Sequence, residues 1–509
     1  MNVLFITADQ WRGKCLSALG HPVIETPNLD MLASEGVLFK KHYAQATPCS
    51  PSRTSLHTGM YLHNHRVCLN GTPFDEKNTN WAQETRNAGY KPFLFGYTDT
   101  GKDPRGLKKD DPRLRHYSEP LPGIETNTVY ANEVPLNWVN HLKSCGYLIP
   151  STLWDLYSET SDKSQTTGDP DSPPALKIKS KDHETGFMVN QCIDWIKRQQ
   201  GDWVTHLSLF RPHPPFVAPN PYNSLYRADQ LDPVHRQIDW QTEASQHPWL
   251  AYQLGQKKFR APQCQDTFNK LKSSYYGLIK EVDDYLGILF DAIHHLGQWN
   301  DTLIIFTSDH GEQMGDHWLM SKSGYFDSSY HVPLIIRDPR NTADPGRGCQ
   351  VESFTENIDI MPTILEVLDL DIPGQCDGYS LLPFIATGKA PSGWRQEVHW
   401  EYDFRDVLSN NVEAELNLTQ HQCSLNVIRD DYFKYVHFTA LPPLFFDLTK
   451  DPNELKNVAE DPTYQKQVLI YAQKLISWRM NHDEKGLTET YLSENGPVTR
   501  QSPRHRVGL

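Results

Sequence analysis

Thr302-Leu-Ile-Ile-Phe-Thr307 runs without a break into Ser308-Asp309-His310-Gly311-Glu312. A short apolar run closed by a turn signal reads as a buried strand, and this one delivers a carboxylate and an imidazole at its C-terminal end. The N-terminus repeats the pattern, with Asn2-Val-Leu-Phe-Ile-Thr-Ala8 leading into Asp9-Gln10. Ligands of open α/β sheets collect at the carboxyl ends of strands. The two stretches therefore predict an α/β sheet with a polar site on one edge. A single strand followed by Asp can be no more than a turn cap. Two such ends, each joining Asp to a second donor, favour a shared site. Oxygen donors with one imidazole suit one divalent ion, Ca²⁺, Mg²⁺ or Mn²⁺.

A third element belongs with these ends. Thr47-Pro-Cys-Ser-Pro-Ser-Arg-Thr-Ser-Leu-His-Thr-Gly59 carries Cys49 in a Pro-flanked turn that leads into a helix start. The positive end of a helix, with Arg53 one turn on, favours negative charge on a ligand or on the residue itself.

Outward from these stretches the chain alternates helix and strand. Thr26-Pro27-Asn28-Leu29-Asp30 starts a helix with Leu29, Leu32 and Ala33 at helical spacing, before a strand at Val37-Leu38-Phe39. Residues 81–88 read as helix and 90–97 lead back into the sheet. Residues 100–180 are rich in Pro, Asp, Gly and Ser and predict a long insertion over the site edge. Thr185–Arg198 reads as helix and Trp203–Phe210 as a buried strand. Residues 217–265 look irregular, and 268–296 form a long amphipathic helix. Beyond the 302–307 strand, 332–336 and a helix near 358–368 complete the alternation. After about 380 the pattern changes to short strands at 397–402, 425–428 and 432–438, a helix at 464–481 and a polar tail. Residues 1–380 thus predict a larger α/β domain that carries the site, and 381–509 a smaller α+β domain.

Composition bounds the function. The 509 residues are 38% hydrophobic and 11% aromatic, as expected of a soluble globular protein. A formal charge of −14 argues against general nucleic-acid binding, and no run is long enough for a membrane span. Residues 2–8 lack a basic flank and a cleavage site, so they read as strand rather than signal peptide. The nine scattered cysteines contain no C-x-x-C pair. That pattern fits a reducing cytoplasm and makes the sequons at Asn300 and Asn417 incidental.

Several further residues are candidates. His213 lies in Arg211-Pro-His-Pro-Pro-Phe216 after a buried strand, where flanking prolines fix its direction for general-acid work. Lys322 follows Asp309-His310 by a short Gly-containing loop and is suited to neutralising a substrate oxygen. Asn70, Tyr97, Thr98 and Asp99 sit in polar stretches after elements that should converge on the same edge. Asp316 and His317 invite a two-zinc reading, ranked below the single ion because a second full ligand set is not evident. His63 and His65 read as structural.

Cys49-Ser50-Pro51-Ser52-Arg53 resembles the C-x-P-S-R motif of the type I sulfatases, in the alkaline phosphatase superfamily. The likeness extends through Asp9-Gln10-Trp11, Thr26–Asp30, Tyr61-Leu-His-Asn-His-Arg66, Arg211–Phe216, Ser308–Gln313, Asp403-Phe-Arg-Asp406 and Leu441-Pro-Pro-Leu-Phe-Phe-Asp447. Along nearly the whole chain the pattern is similar to the phosphonate monoester hydrolases. The resemblance implies an alkaline-phosphatase-like catalytic domain with a mixed central sheet flanked by helices, and oxidation of Cys49 to formylglycine by a maturase. It implies metal ligation by Asp9, Gln10, Asp309, His310 and matured Cys49. Arg53 and Lys322 would stabilise the nucleophile and the substrate anion, His213 would assist the leaving group, and Asn70, Tyr97 and Asp99 would line the site. A homo-oligomer, a tetramer by resemblance, also follows. Two departures stand out. Ser50 and Ser52 are closer to ordinary sulfatases, whereas Gln10 replaces the second Asp of most sulfatases and points to the phosphonate group. Asp99 stands where the phosphonate enzymes can carry threonine.

The resulting expectation is a formylglycine- and metal-dependent hydrolase of monoanionic sulfate esters, with phosphonate monoester and phosphodiester activity. The hydrated aldehyde attacks sulfur or phosphorus, and the ester on the aldehyde carbon then collapses by C–O cleavage. The alternatives are a primary phosphonate monoester hydrolase or phosphodiesterase, a two-metal phosphodiesterase with unmodified Cys49, and a non-catalytic anion-binding protein on the same fold.

Overall fold

The structure is a computed structural model, and it describes residues 1–131, 133–160, 172–484, 488 and 490–499. Part of the expected 100–180 insertion and the end of the polar tail lie outside these residues.

Among the described residues the main sheet has eight strands. They are β1 (Asn2–Ala8), β2 (Val37–Tyr43), β4 (Phe93–Phe95), β5 (Glu125–Thr126), β8 (Val204–Leu209), β9 (Thr302–Thr307), β10 (Leu334–Arg337) and β11 (Cys349–Glu356), in the order β11-β2-β10-β9-β1-β8-β4-β5. Only β10 runs antiparallel to its neighbours. The central strands are continuous apolar runs because both of their faces are covered. Leu4, Ile6, Ile304 and Phe306 point into one core with helices Pro27–Glu35, Glu184–Ile196 and Gln265–His295. Val3, Phe5, Leu303 and Ile305 point into the other, with Leu56, Trp81 and helix Ile360–Val367. Each such fully buried side chain contributes about 1.5–3 kcal/mol.

Four adjacent parallel strands, β9-β1-β8-β4, open on one edge. Thr7 pairs with Thr307 and with Ser208, and Phe95 with Leu207. This register brings the ends that follow, Asp309, Asp9, the Phe210–His213 turn and Tyr97, side by side. Gly96 makes the last approach possible. Its φ is 97°, and a Cβ there would stand 1.9 Å from the Ser208 carbonyl oxygen.

A second sheet runs β15-β14-β13-β12-β3, built from β12 (Val398–Asp403), β13 (Ser424–Arg429), β14 (Phe433–Phe438) and β15 (Leu444–Asp447). Its edge strand β3 is Ala46–Thr47, which pairs parallel with Glu401 and Tyr402. The strand that leads into Cys49 is thus completed by residues beyond 380. Helix Gln465–Asn481 covers this sheet through Tyr471, Leu475 and Trp478.

The two stretches expected to be irregular contain further elements. The insertion holds a small ladder of β6 (Tyr130–Ala131) and β7 (Val134–Pro135), then helix Leu136–Ser144. The 217–265 region holds helices Trp240–Ala244 and Pro248–Gly255, N-capped by the side chains of Asp239 and His247. These helices are short, so capping and tertiary contact fix them more than periodicity does. The tail also contains a hairpin, β16 (Thr490–Ser493) with β17 (Gly496–Thr499). No helix among the described residues is long and apolar enough to cross a membrane.

Candidate active site

Helix Cys49–Thr58 starts at the site and is buried along all ten residues. It ends at Gly59, whose φ of 69° is the left-handed conformation that glycine adopts freely. Arg53, one turn in, is the central cation. Its Nε donates to Asp309 Oδ2 at 3.0 Å and its Nη2 to Asp9 Oδ2 at 2.9 Å. Nη1 donates to Ser208 Oγ at 2.9 Å and to the Tyr97 carbonyl at 3.1 Å. The Tyr97 ring lies 4.3 Å below the guanidinium, and its hydroxyl donates to Asp9 Oδ2 at 2.5 Å. Asp99, at a φ of 50°, stands 3.6 Å from Arg53 Nε.

Asp9, Cys49, Asp309 and His310 converge. One donor atom from each lies within 4.8 Å of the others, and all four residues are buried. The donors fit a divalent cation. Asp9 Oδ1 is buried without a hydrogen-bond partner, a costly state for a carboxylate oxygen unless a cation faces it. His310 Nδ1–H donates to the Gly311 carbonyl at 3.1 Å, which leaves the Nε2 lone pair directed at the cluster, 3.3 Å from Cys49 Sγ. Burial depresses the His310 pKa to about 3, and Lys322 adds to the effect, so the ring is neutral, as a metal ligand must be. Gln10 adjoins the cluster. Its amide nitrogen donates to Glu312, and its Oε1 accepts from Lys322 Nζ at 2.7 Å.

The titration of the site follows from burial set against local charge. Burial raises both neighbouring carboxyls. In Asp9 the attraction of His213, then of Arg53 and Lys322, outweighs it and holds the group below the usual range, whereas Asp309, facing Asp9, is pushed up to about 6. Asp99 rises to about 7 through burial and the neighbouring carboxylates, against Arg53. Burial, then Asp9, keeps Cys49 protonated well above the ordinary thiol range, despite Lys322 Nζ 3.2 Å from its sulfur. Unmodified Cys49 is therefore a poor nucleophile.

The remaining predicted residues join the same site. Asn70 Oδ1 accepts from the Ser50 N–H at 2.9 Å, steadying the Cys49 turn. His213 shares a cavity wall with Asp9 and Cys49. Its Nδ1–H donates to the Pro214 carbonyl at 2.8 Å, so Nε2 is the nitrogen left for a substrate. Burial, then Lys322, lowers its pKa to about 3. Thr98 Oγ1 instead accepts from the Leu121 N–H and fastens the insertion. Asp316 pairs with Arg12, and His317 bonds Glu243 and stacks on Phe326, so neither belongs to the four-residue cluster. His63 bonds Glu401 and His65 bonds Ser55, as structural histidines should.

The sequence reading missed the supporting layer and the mouth. Glu312, raised to about 7 by burial, accepts from Gln10, the Met314 N–H and the Ser321 N–H. The cavity of about 70 Å³ over Cys49 is closed by Tyr117, Tyr130, Glu133, Glu184 and Phe210. Of these, Tyr117, Tyr130 and Glu133 come from the insertion, where no periodicity marks them. A larger cavity, about 430 Å³, lies beside the last helix and contains none of the predicted site residues.

Residues 1–370 match the sulfatase family, and residues 315–481 match the C-terminal region of N-sulphoglucosamine sulphohydrolases. The chain belongs to the sulfatase family. Among the relatives of this sulfatase-family chain is PehA of Trinickia caryophylli, a multifunctional alkaline phosphatase superfamily protein. The two are 40% identical over 98% of this chain and 99% of PehA. An arylsulfatase of Clostridium perfringens is 28% identical over 96% of each chain. The structure of the phosphonate monoester hydrolase of Agrobacterium radiobacter superposes with a TM-score of 0.93 at 43% identity, covering 98% of this chain and 100% of that one. The corresponding enzyme of Silicibacter pomeroyi gives 0.90 at 35% identity, covering 98% and 99%. The mixed sheet with flanking helices is thus the alkaline-phosphatase-like fold expected from the sequence.

Proposed function

We propose that the protein is a formylglycine- and metal-dependent hydrolase of singly charged esters, acting on sulfate esters and also on phosphonate monoesters and phosphodiesters. The observation that carries this reading is the unpartnered Asp9 Oδ1 in a buried cluster with Asp309, His310 and Cys49. A divalent ion, Ca²⁺, Mn²⁺ or Mg²⁺, held by Asp9, Gln10, Asp309, His310 and matured Cys49 would supply positive charge to the ester oxygens and to the attacking hydroxyl. Formylglycine made from Cys49 by a maturase would supply that hydroxyl as an aldehyde hydrate.

The chain's own residues do the rest. Arg53 holds Asp9 and Asp309 in place, and Lys322 Nζ faces the Cys49 position and the substrate anion. Asn70 fixes the turn, while Tyr97 and Asp99 line the wall. His213 Nε2, once protonated beside the bound substrate anion, delivers that proton to the departing oxygen. Among the described residues Asp9, Asp99, Glu133 and Glu184 line the cavity and no Lys or Arg does, so Lys322 acts from behind Cys49, 3.2 Å from its sulfur. That balance favours a monoanion over the dianion of a phosphate monoester.

A primary phosphonate monoester hydrolase is the second reading, favoured by Gln10 and by the two phosphonate monoester hydrolase structures at 43% and 35% identity. Comparing kcat/KM for an aryl sulfate, an aryl phosphonate and an aryl phosphate, with mass analysis of the Cys49 peptide, decides between them. The expected result is loss of the cysteine sulfur, sulfate first and phosphate last. A preferred phosphate monoester, an active protein with a fully alkylatable Cys49, or full activity after exhaustive chelation overturns the proposal. Nine free cysteines support a cytoplasmic setting. Exposed Leu469, Ile476 and Met480 on the last helix, with Tyr491 and Leu492 on the hairpin, support a homo-oligomer. Light scattering that returns a monomer mass would remove that part.

A further inference from the structure

A second cluster of metal-binding side chains lies in the insertion, apart from the reacting groups. Helix Leu136–Ser144 carries His141, and Cys145 caps its C-terminus. Asp182 comes from the segment just before helix Glu184–Ile196. His141 Nε2, Cys145 Sγ and Asp182 Oδ1 form a nearly equilateral triangle, with each pair 3.6 Å apart.

In a tetrahedral zinc site, with metal–ligand bonds of about 2.0–2.3 Å, two ligand atoms stand roughly 3.3–3.6 Å apart. The triangle matches one face of that tetrahedron. Hydrogen bonding accounts for two sides of it at most, since one sulfur proton and one imidazole proton cannot close all three. Each ligand is also held from behind. The Cys145 N–H donates to the His141 carbonyl at 3.0 Å, and the His141 ring packs 5.1 Å from that of Phe187. The Asp182 carbonyl accepts from Trp138 Nε1 at 2.8 Å, and Tyr147 Oη donates to Oδ2 at 3.0 Å. The tyrosine thus occupies one carboxylate oxygen and leaves Oδ1 for a cation, as outer partners do at metal sites.

We propose that His141, Cys145 and Asp182 bind a second divalent ion of the borderline-soft class, Zn²⁺ above all, with solvent as fourth ligand. Thiolate, imidazole and carboxylate select against Ca²⁺ and Mg²⁺, which take all-oxygen sites. On binding, the Cys145 thiol loses its proton to solvent, and the two ligand anions cancel the charge of the ion. The ion joins two walls of the mouth. Tyr130 and Glu133 sit just before helix Leu136–Ser144, and Glu184 lies two residues after Asp182. The clip therefore fixes the spacing between them.

Cys145 is exposed, and so is Cys264, which serves as an internal control. The full chain is alkylated with and without Zn²⁺, and each cysteine peptide is quantified by mass spectrometry. Zn²⁺ should slow alkylation of Cys145 by about tenfold or more and leave Cys264 unchanged. His141→Ala and Asp182→Asn should each restore the fast rate. Co²⁺ in place of Zn²⁺ should give a thiolate charge-transfer absorption that Cys145→Ser lacks. An unaltered Cys145 rate in Zn²⁺ overturns the site, and so does protection that survives both ligand variants. Neither readout depends on turnover, so the proposal stands or falls separately from the hydrolase reading.

Discussion

Arg53 Nη2 donates to Asp9 Oδ2 at 2.9 Å, with both side chains out of reach of solvent. The same guanidinium reaches Asp309 through Nε, so one side chain separates two buried carboxyls that would otherwise repel. Removing one partner of a buried pair leaves an uncompensated charge at a cost of about 3–5 kcal/mol. In chelator, Arg53→Met should lose stability on that scale by denaturant unfolding. Arg53→Lys, which restores the charge without the planar fork, should lose less and still lower kcat roughly 100-fold. A metal-free Arg53→Met within 1 kcal/mol of the parent would contradict this account.

In the proposed reaction His213, oriented by its Pro214 bond, presents Nε2 to the leaving group. Proton transfer matters most when the departing alkoxide is a strong base. His213→Ala should therefore slow an alkyl or phenyl ester by about 10²–10⁴-fold and a 4-nitrophenyl ester far less. Equal losses on both would reassign the residue to positioning.

Four histidines are held neutral by fixed donors. Nδ1 accepts from Trp81 Nε1 in His57, from the Val67 N–H in His65, from the Trp249 N–H in His247 and from the Ile24 N–H in His21. Burial lowers these pKa values to about 3 for His57 and His65 and about 4 for His247 and His21. In the unfolded chain each titrates near its ordinary value of about 6.5. Between pH 6.5 and 4 the unfolded state thus binds more protons at these rings, and their contribution to stability falls as pH falls, set against the opposite contribution of the raised carboxyls Asp99, Asp309 and Glu312. Each fully buried ring contributes up to about 1.4 kcal/mol per pH unit in that window. Unfolding free energies at pH 7 and pH 5 check this, and His65→Gln should flatten the slope. An unchanged slope in His65→Gln would show that this ring accepts a proton in place.

The mouth sets aromatic rings of Tyr117, Tyr130 and Phe210 beside Glu133 and Glu184. Such walls attract a cation on the alcohol part of the ester. 2-(Trimethylammonio)ethyl sulfate should therefore have a higher kcat/KM than its neutral isostere, 3,3-dimethylbutyl sulfate. Glu133→Gln should reduce the ratio without slowing the neutral ester. A ratio of one in the parent enzyme would remove any role for these charges.

What could be read in the chain and what could not divide along physical lines. β1 and β9 are covered on both faces, so they appear as unbroken apolar runs, and their last residues mark the site directly. Arg53 and Lys322 are tied to motifs at short sequence distance. By contrast, Tyr130 and Glu133 acquire meaning only when the insertion folds over Cys49, and Ser208 only through the register of β8 with β1. Helix Pro248–Gly255 carried a readable signal in Pro248 at its first turn, and β15 lay hidden behind Pro442-Pro443. β3 is two residues long, below what any periodicity can register.

That two-residue strand bears on the order in which the molecule is made. Ala46 and Thr47 find their partners only when residues 401–402 have been synthesised, and in the finished protein Cys49 is 5% exposed. At ordinary translation rates the intervening chain takes roughly 20 to 70 s to appear. During that interval the cysteine segment lacks its sheet partner, and afterwards it is sealed. On the proposed maturation of Cys49, the modifying enzyme would therefore be in a race with the ribosome. Slowing synthesis upstream of residue 401 should raise the fraction of converted protein.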